Sequence, residues 1–151
     1  MNLDEVQSLA RALMVEHGVG EWAFAFNRRR RSLGLCYYEL RRIELSAPYV
    51  VRNGIESIRD TILHEIAHAL AGKSAGHGPR WKAIAARIGA TPKRCDDQAE
   101  MPKGRWFARC PNCGRAFHRF RRPNRRAKYS CVKCGPVRGA INFYIALEGA
   151  A

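Results

Sequence analysis

Residues 61–70, T-I-L-H-E-I-A-H-A-L, constrain this chain more than any other stretch. Their H-E-x-x-H pattern at His64, Glu65 and His68 sets both histidines on one face of a helix, one turn apart, where they can share a zinc ion. Glu65 then sits beside that ion, placed to take a proton from water. A helix whose histidines only face solvent or pack needs no further partner. A catalytic zinc needs a third protein ligand and one open position.

Two residues compete for that third place. His77 stands nine positions after His68 in the glycine-rich run G-K-S-A-G-H-G, and such a loop can swing it back to the metal. Cys36 is the alternative, because an upstream cysteine ligates the metal in peptide deformylases, which also carry H-E-x-x-H. Cys36 lies in an apolar, strand-like run, where a small buried thiol is the commoner occupant. A glutamate from the next helix is excluded locally, since no acidic residue falls between His68 and Asp96.

A second metal site is written in the cysteines. Cys110-x-x-Cys113 and Cys131-x-x-Cys134, with seventeen residues between the pairs, have the spacing of a four-thiolate structural zinc. Gly114 and Gly135 follow the pairs and let the backbone curl around the ion. His118 could substitute as a ligand, but four thiolates already complete a tetrahedron. The expected cofactor is therefore two zinc ions per chain, one catalytic and one structural.

Charge points to the partner. Lys plus Arg is 27 against 13 acidic residues, a net +14, and residues 101–151 hold 12 of the basic residues with one acidic residue, Glu148. A field of that sign favours a polyanion, nucleic acid before an acidic protein or an anionic membrane. Between the cysteine pairs run Arg115, Arg119, Arg121, Arg122, Arg125, Arg126 and Lys128, interleaved with Phe117, Phe120 and Tyr129. The cations suit phosphate. The aromatics can stack bases or fill a tiny core.

Periodicity supplies the frame. Apolar spacing predicts helices over 3–16, 55–71 and 79–88, and short strands around Trp22 to Phe26, at 35–38 and at 42–46. In the second helix Ile55, Ile58, Ile62, Ile66, Ala69 and Leu70 make the expected core stripe. His17 reads as a helix cap, Trp81 as a core residue, and residues 28–31 as a basic turn joining two strands. Residues 91–104 lack periodicity, so the expected domains are 1–98 and 99–151. Residues 140–147 read as a closing strand, and Cys95 has no assigned role. No run approaches the ~20 apolar residues of a membrane helix. The start M-N-L-D-E-V-Q lacks the character of a secretory signal. The expectation is a soluble, cytoplasmic protein with no membrane partner.

The order of an aromatic strand, L-G-L-C-Y-Y at 33–38, I-E-L-S at 43–46, T-I-L-H-E-I-A-H at 61–68 and G-H-G-P-R-W at 76–81 resembles the SprT-like metalloproteases. With the C-terminal four-cysteine ribbon found in many members, the likeness spans nearly the whole chain. It implies an α+β fold: a zincin-like protease domain (N-terminal helix, small antiparallel sheet, metal helix, third-histidine loop and helix) followed by a small β zinc ribbon. It also implies His64, His68 and His77 as zinc ligands and Glu65 as catalytic base. The family includes Spartan, a DNA-dependent protease that degrades proteins crosslinked to DNA, although the loop from His68 to His77 is shorter here. Zinc-dependent peptide hydrolysis on DNA-associated proteins is the resulting expectation. A non-catalytic zinc protein that binds nucleic acid and a deformylase-like amide hydrolase are the alternatives.

Overall fold

A computed structural model describes residues 2–94 and 98–145. Two compact units divide between Pro102 and Lys103, slightly later than the expected boundary. The reason is local. Asn53 donates from Nδ2 to the Glu100 carbonyl and accepts from the Glu100 N–H, both at 2.8 Å, while Ala99 and Met101 pack on the first core.

The first unit opens with α1 (Leu3–Glu16). The Asn2 side chain accepts from the Asp4 N–H, satisfying one of the orphan donors at the helix start, and Asp4 and Glu5 complement its dipole. Val6, Ala10, Leu13 and Met14 are buried, and His17 is the C-cap, as its place before Gly18 suggests. Three strands follow: β1 (Ala23–Asn27), β2 (Gly34–Tyr37) and β3 (Arg42–Ser46).

The sheet corrects one expectation. Its order is β1-β3-β2, with β2 antiparallel to β3 but β1 parallel to it, so it is mixed and not antiparallel throughout. Residues 28–31 therefore do not tip a hairpin. They begin a crossover past the end of β3, held where Ser46 Oγ donates to the Arg29 carbonyl and Ser46 N–H to the Leu33 carbonyl. The physical cause is β3 itself, whose Ile43, Glu44, Leu45 and Ser46 are all buried. A strand covered on both faces takes the central place.

After a single turn, α2 (Ala47–Val50), the chain forms α3 (Ile55–Ala71), about 25 Å long at 1.5 Å per residue. Ile58, Ile62, Leu63, Ile66 and Ala67 are fully buried, whereas Ile55, in the exposed first turn, lies outside the stripe expected for it. Helix α3 packs on α1, on β2 and on α4 (Pro79–Arg87). Toward α2, the Thr61 hydroxyl donates to the Ser57 carbonyl and accepts from the buried Tyr49 hydroxyl at 2.9 Å.

The second unit is small. Strands β4 (Trp106–Arg109), β5 (Ala116–Arg119) and β8 (Tyr144–Ile145) form one sheet in the order β5-β4-β8. Strands β6 (Tyr129–Cys131) and β7 (Gly139–Ile141) form another, with the short α5 (Gly135–Arg138) between them. The expected closing strand is thus two pieces, β7 and β8, broken at Asn142 and Phe143, and its last residues, 146 and 147, lie outside the described residues, as does Cys95. Among the described residues of this unit the buried hydrophobic core is Ala108, Cys110, Cys131 and Ile141, flanked by Phe117, Tyr129 and Phe143. No helix among the described residues is long and apolar enough to cross a membrane.

Truncating the α3 stripe is the clearest test of this packing. Ile62→Ala should lower stability by about 3 kcal/mol through lost burial and a cavity, and Tyr49→Phe by about 1 kcal/mol through one lost hydrogen bond. Urea unfolding of the zinc-loaded protein, followed by tryptophan fluorescence, measures both.

Candidate metal centre

Helical register places His64 and His68 one turn apart on the edge of α3 that is left half-buried while its opposite face enters the core. Gly72 then stops the helix with φ of 83°, one turn of 3-10 helix spans Lys73–Ala75, and Gly76, at φ of 47°, reverses the chain. Both glycines occupy the left-handed half of backbone space that other residues avoid. Their combined effect is to bring His77 back over α3. Its Nε2 lies 3.1 Å from Nε2 of His64 and 3.1 Å from Nε2 of His68.

The donor set fits a zinc ion. Nitrogens about 2.0–2.1 Å from one tetrahedral ion would stand roughly 3.3 Å apart, close to the spacing observed. Ligation also needs neutral imidazoles. Burial, and then His77, pushes His64 down to about 4; burial, followed by His64 and His77, does the same to His68. Burial and then Arg94 lowers His77 as well. The sulfur of Cys36 is not part of this group of mutually close donors, so it is His77 that the fold brings to the pair.

One residue along, Glu65 is buried to 6% exposure, and that burial pushes its carboxyl up to about 8. The space for it comes from β2. A Cβ at Gly34 would sit 2.7 Å from both Cγ and Oε1 of Glu65. Cys36 and Tyr38 follow Gly34 at period two in the same wall. Burial and then Glu65 raise the Cys36 thiol to about 12, and burial, then Cys36 and Glu65, raise Tyr38 to about 12. Both are protonated at neutral pH. The three histidines, Glu65 and this wall open on a cleft of about 1090 Å³.

Trp81 completes the centre from behind. Its fully buried ring lies 4.6 Å from His64, 5.3 Å from His68 and 4.7 Å from His77, centroid to centroid. It is a core residue, as its spacing suggests, and it also touches every imidazole of the cluster. That role and the Gly34 contact are the features that sequence reasoning missed. A glycine inside a strand was the available signal, because it marks close backbone approach.

In the second unit the sulfurs of Cys110, Cys113, Cys131 and Cys134 converge within 4.8 Å of one another and are free thiols. Gly114 and Gly135 take φ of 70° and 71°, the turns that the C-x-x-C-G pattern calls for. Asn112 Nδ2 points to Cys134 Sγ at 3.2 Å. Around this cluster Arg115, Arg121, Arg122, Arg125, Arg126 and Lys128 are exposed. Arg119 is not. Its guanidinium lies 4.8 Å from the Tyr129 ring and 5.6 Å from that of Phe143. Phe117 and Tyr129 likewise pack on the core. The outward aromatics are others: Tyr144 and Phe107 at 5.3 Å, Phe107 and His118 at 5.1 Å, with Arg109 over Phe107.

The SprT-like family matches residues 5–101. The chain belongs to that family. Among its relatives, Protein SprT of Klebsiella pneumoniae (strain 342) is 30% identical over 142 residues, covering 87% of this chain and 86% of that protein. Protein SprT of Escherichia coli (strain K12) is 29% identical over 140 residues, covering 85% of each. Of solved structures, the metallopeptidase zymogen of Methanocaldococcus jannaschii jannalysin superposes with a TM-score of 0.48 at 16% identity, over 54% of this chain and 79% of that one.

The buried carboxyl makes a pH prediction. A folded-state pKa raised from 4.5 to about 8 gives stability that is present below pH 4.5 and lost as pH rises toward 8. In metal-free protein, Glu65→Gln should therefore gain Tm on wild type by roughly 10 °C between pH 5 and pH 8. A gap that does not change with pH contradicts the placement of Glu65.

Proposed function

We propose that this chain is a zinc-dependent endopeptidase that binds DNA and acts on DNA-associated or DNA-crosslinked proteins in the cytoplasm. The observation that carries the reading is the convergence of three neutral imidazoles on one point, with a carboxyl one residue away, in an open cleft.

His64, His68 and His77 would hold the catalytic zinc and leave one position free, and Cys110, Cys113, Cys131 and Cys134 would hold a structural one. Bound there, the catalytic zinc supplies Lewis acidity and a water of lowered pKa. Glu65 accepts a proton from the attacking water and returns it to the leaving amine, a transfer that its burial tunes toward neutral pH. The wall of β2 orients the substrate. Among the described strands β2 pairs only with β3, so its other edge offers N–H and C=O groups to an extended peptide. Tyr38, protonated at neutral pH, is a hydrogen-bond donor in the same wall.

The second unit supports the DNA part of the reading. Six exposed cations track phosphate, and the exposed rings of His118 and Tyr144, on either side of the half-buried Phe107, suit unpaired bases. Specificity then comes from location on DNA. The deformylase-like alternative is disfavoured because Cys36 lies apart from the imidazole cluster. The non-catalytic alternative leaves no purpose for a carboxyl buried beside that cluster.

The test is cleavage of a basic DNA-binding protein, with and without single- or double-stranded DNA. Wild type should release fragments faster with DNA. Glu65→Gln should keep its zinc and its DNA affinity while losing about a hundredfold or more in rate. Unchanged DNA-stimulated cleavage in that variant contradicts the mechanism.

A further inference from the structure

Seven charged residues line the cleft, and their state decides its preference. On the acidic side, Glu65 is buried beneath Gly34, Asp60 Oδ1 accepts the Thr91 N–H at 2.6 Å, and Glu56 stands in the first turn of α3, eight positions before His64. The basic side is less committed. Arg59, Lys93 and Arg94 are exposed and form no ion pair among the described residues; Arg31, which has contacts of its own, also lines the cleft. The bond from Asp60 ties the Thr91 backbone to α3, two and three residues ahead of Lys93 and Arg94, which both line the cleft. Arg94 lies within electrostatic reach of His77, so its charge extends to the metal end of the cleft.

We infer that the cleft selects acidic polypeptide segments, with Lys93 and Arg94 reading carboxylates beside the scissile bond. This rests on the protease reading above and adds the class of substrate. Nucleic acid is the less suitable occupant, since these cations line a concavity that also holds the imidazoles, while the second unit already presents an exposed cationic track. Acidic targets also agree with substrates on DNA. Phosphate occupies a bound protein's basic face and repels its acidic segments outward, toward an approaching protease.

Zinc-loaded Glu65→Gln protein, which holds peptides without turnover, permits a binding test by fluorescence anisotropy. Three peptides share one apolar centre and carry Glu, Gln or Lys flanks. The Glu-flanked peptide should bind about tenfold more tightly than the Gln-flanked one, the size expected of two partly exposed charge contacts. Adding Lys93→Glu and Arg94→Glu should abolish that preference, while adding Arg125→Glu and Arg126→Glu should leave it. Circular dichroism and zinc content verify that each variant is folded. Equal affinities, or a preference lost only with the Arg125 and Arg126 changes, overturn the inference. So does a Lys93 and Arg94 variant that keeps the peptide preference and loses affinity for a DNA oligonucleotide. Cleavage of the same peptides by wild type is scored separately: peptides bound in this pattern but left intact contradict the protease reading and leave the cleft's selectivity standing.

Discussion

The rest of the first unit depends on the packing of one helix. α3 must bury Ile58, Ile62, Leu63 and Ile66 on one side while presenting His64 and His68 on the other, and a 3.6-residue period satisfies both demands at once. Everything near the centre is arranged around that division. β2 approaches close enough to bury Glu65 only because Gly34 has no Cβ, and α4 supplies Trp81 as a rigid backing for three imidazoles. Two glycines with positive φ turn the chain so that His77 returns. Hydrophobic burial thus fixes the geometry, and the polar groups are placed by it.

The second unit is organised by a different force. The four buried hydrophobic residues among the described ones cannot offset the conformational entropy of ordering about forty, and small domains of this kind rely on a metal or a disulfide. Four cysteine sulfurs converge from two glycine-terminated turns, and an ion held there would join metal binding and folding in one equilibrium. That arrangement frees the surface. Side chains not needed for a core can be arginine and lysine, so this unit carries most of the excess charge.

Much of this was legible from local pattern. The bounds of α1 and α3 match the expected ones, because caps and breakers stand at their ends: Asn2 before α1, Gly54 and Gly72 around α3. The imidazole cluster was legible through register plus the glycine loop. Sheet order was not, because residues 28–33 read as easily as a hairpin turn as a crossover, and only the burial of Glu44 and Ser46 reveals β3 as central. Which aromatics of the second unit face inward stayed open for a similar reason. Phe117, Tyr129 and Phe143 gather around the cysteine core, a nonlocal arrangement that spacing in sequence does not encode.

Metal content tests the central assignment most directly. Zinc analysis of purified wild type, His77→Ala and Cys36→Ala asks which residue completes the site begun by His64 and His68. Wild type and Cys36→Ala should each hold about two zinc ions per chain, and His77→Ala about one. Two zinc ions retained by His77→Ala, or one lost from Cys36→Ala, would contradict that assignment.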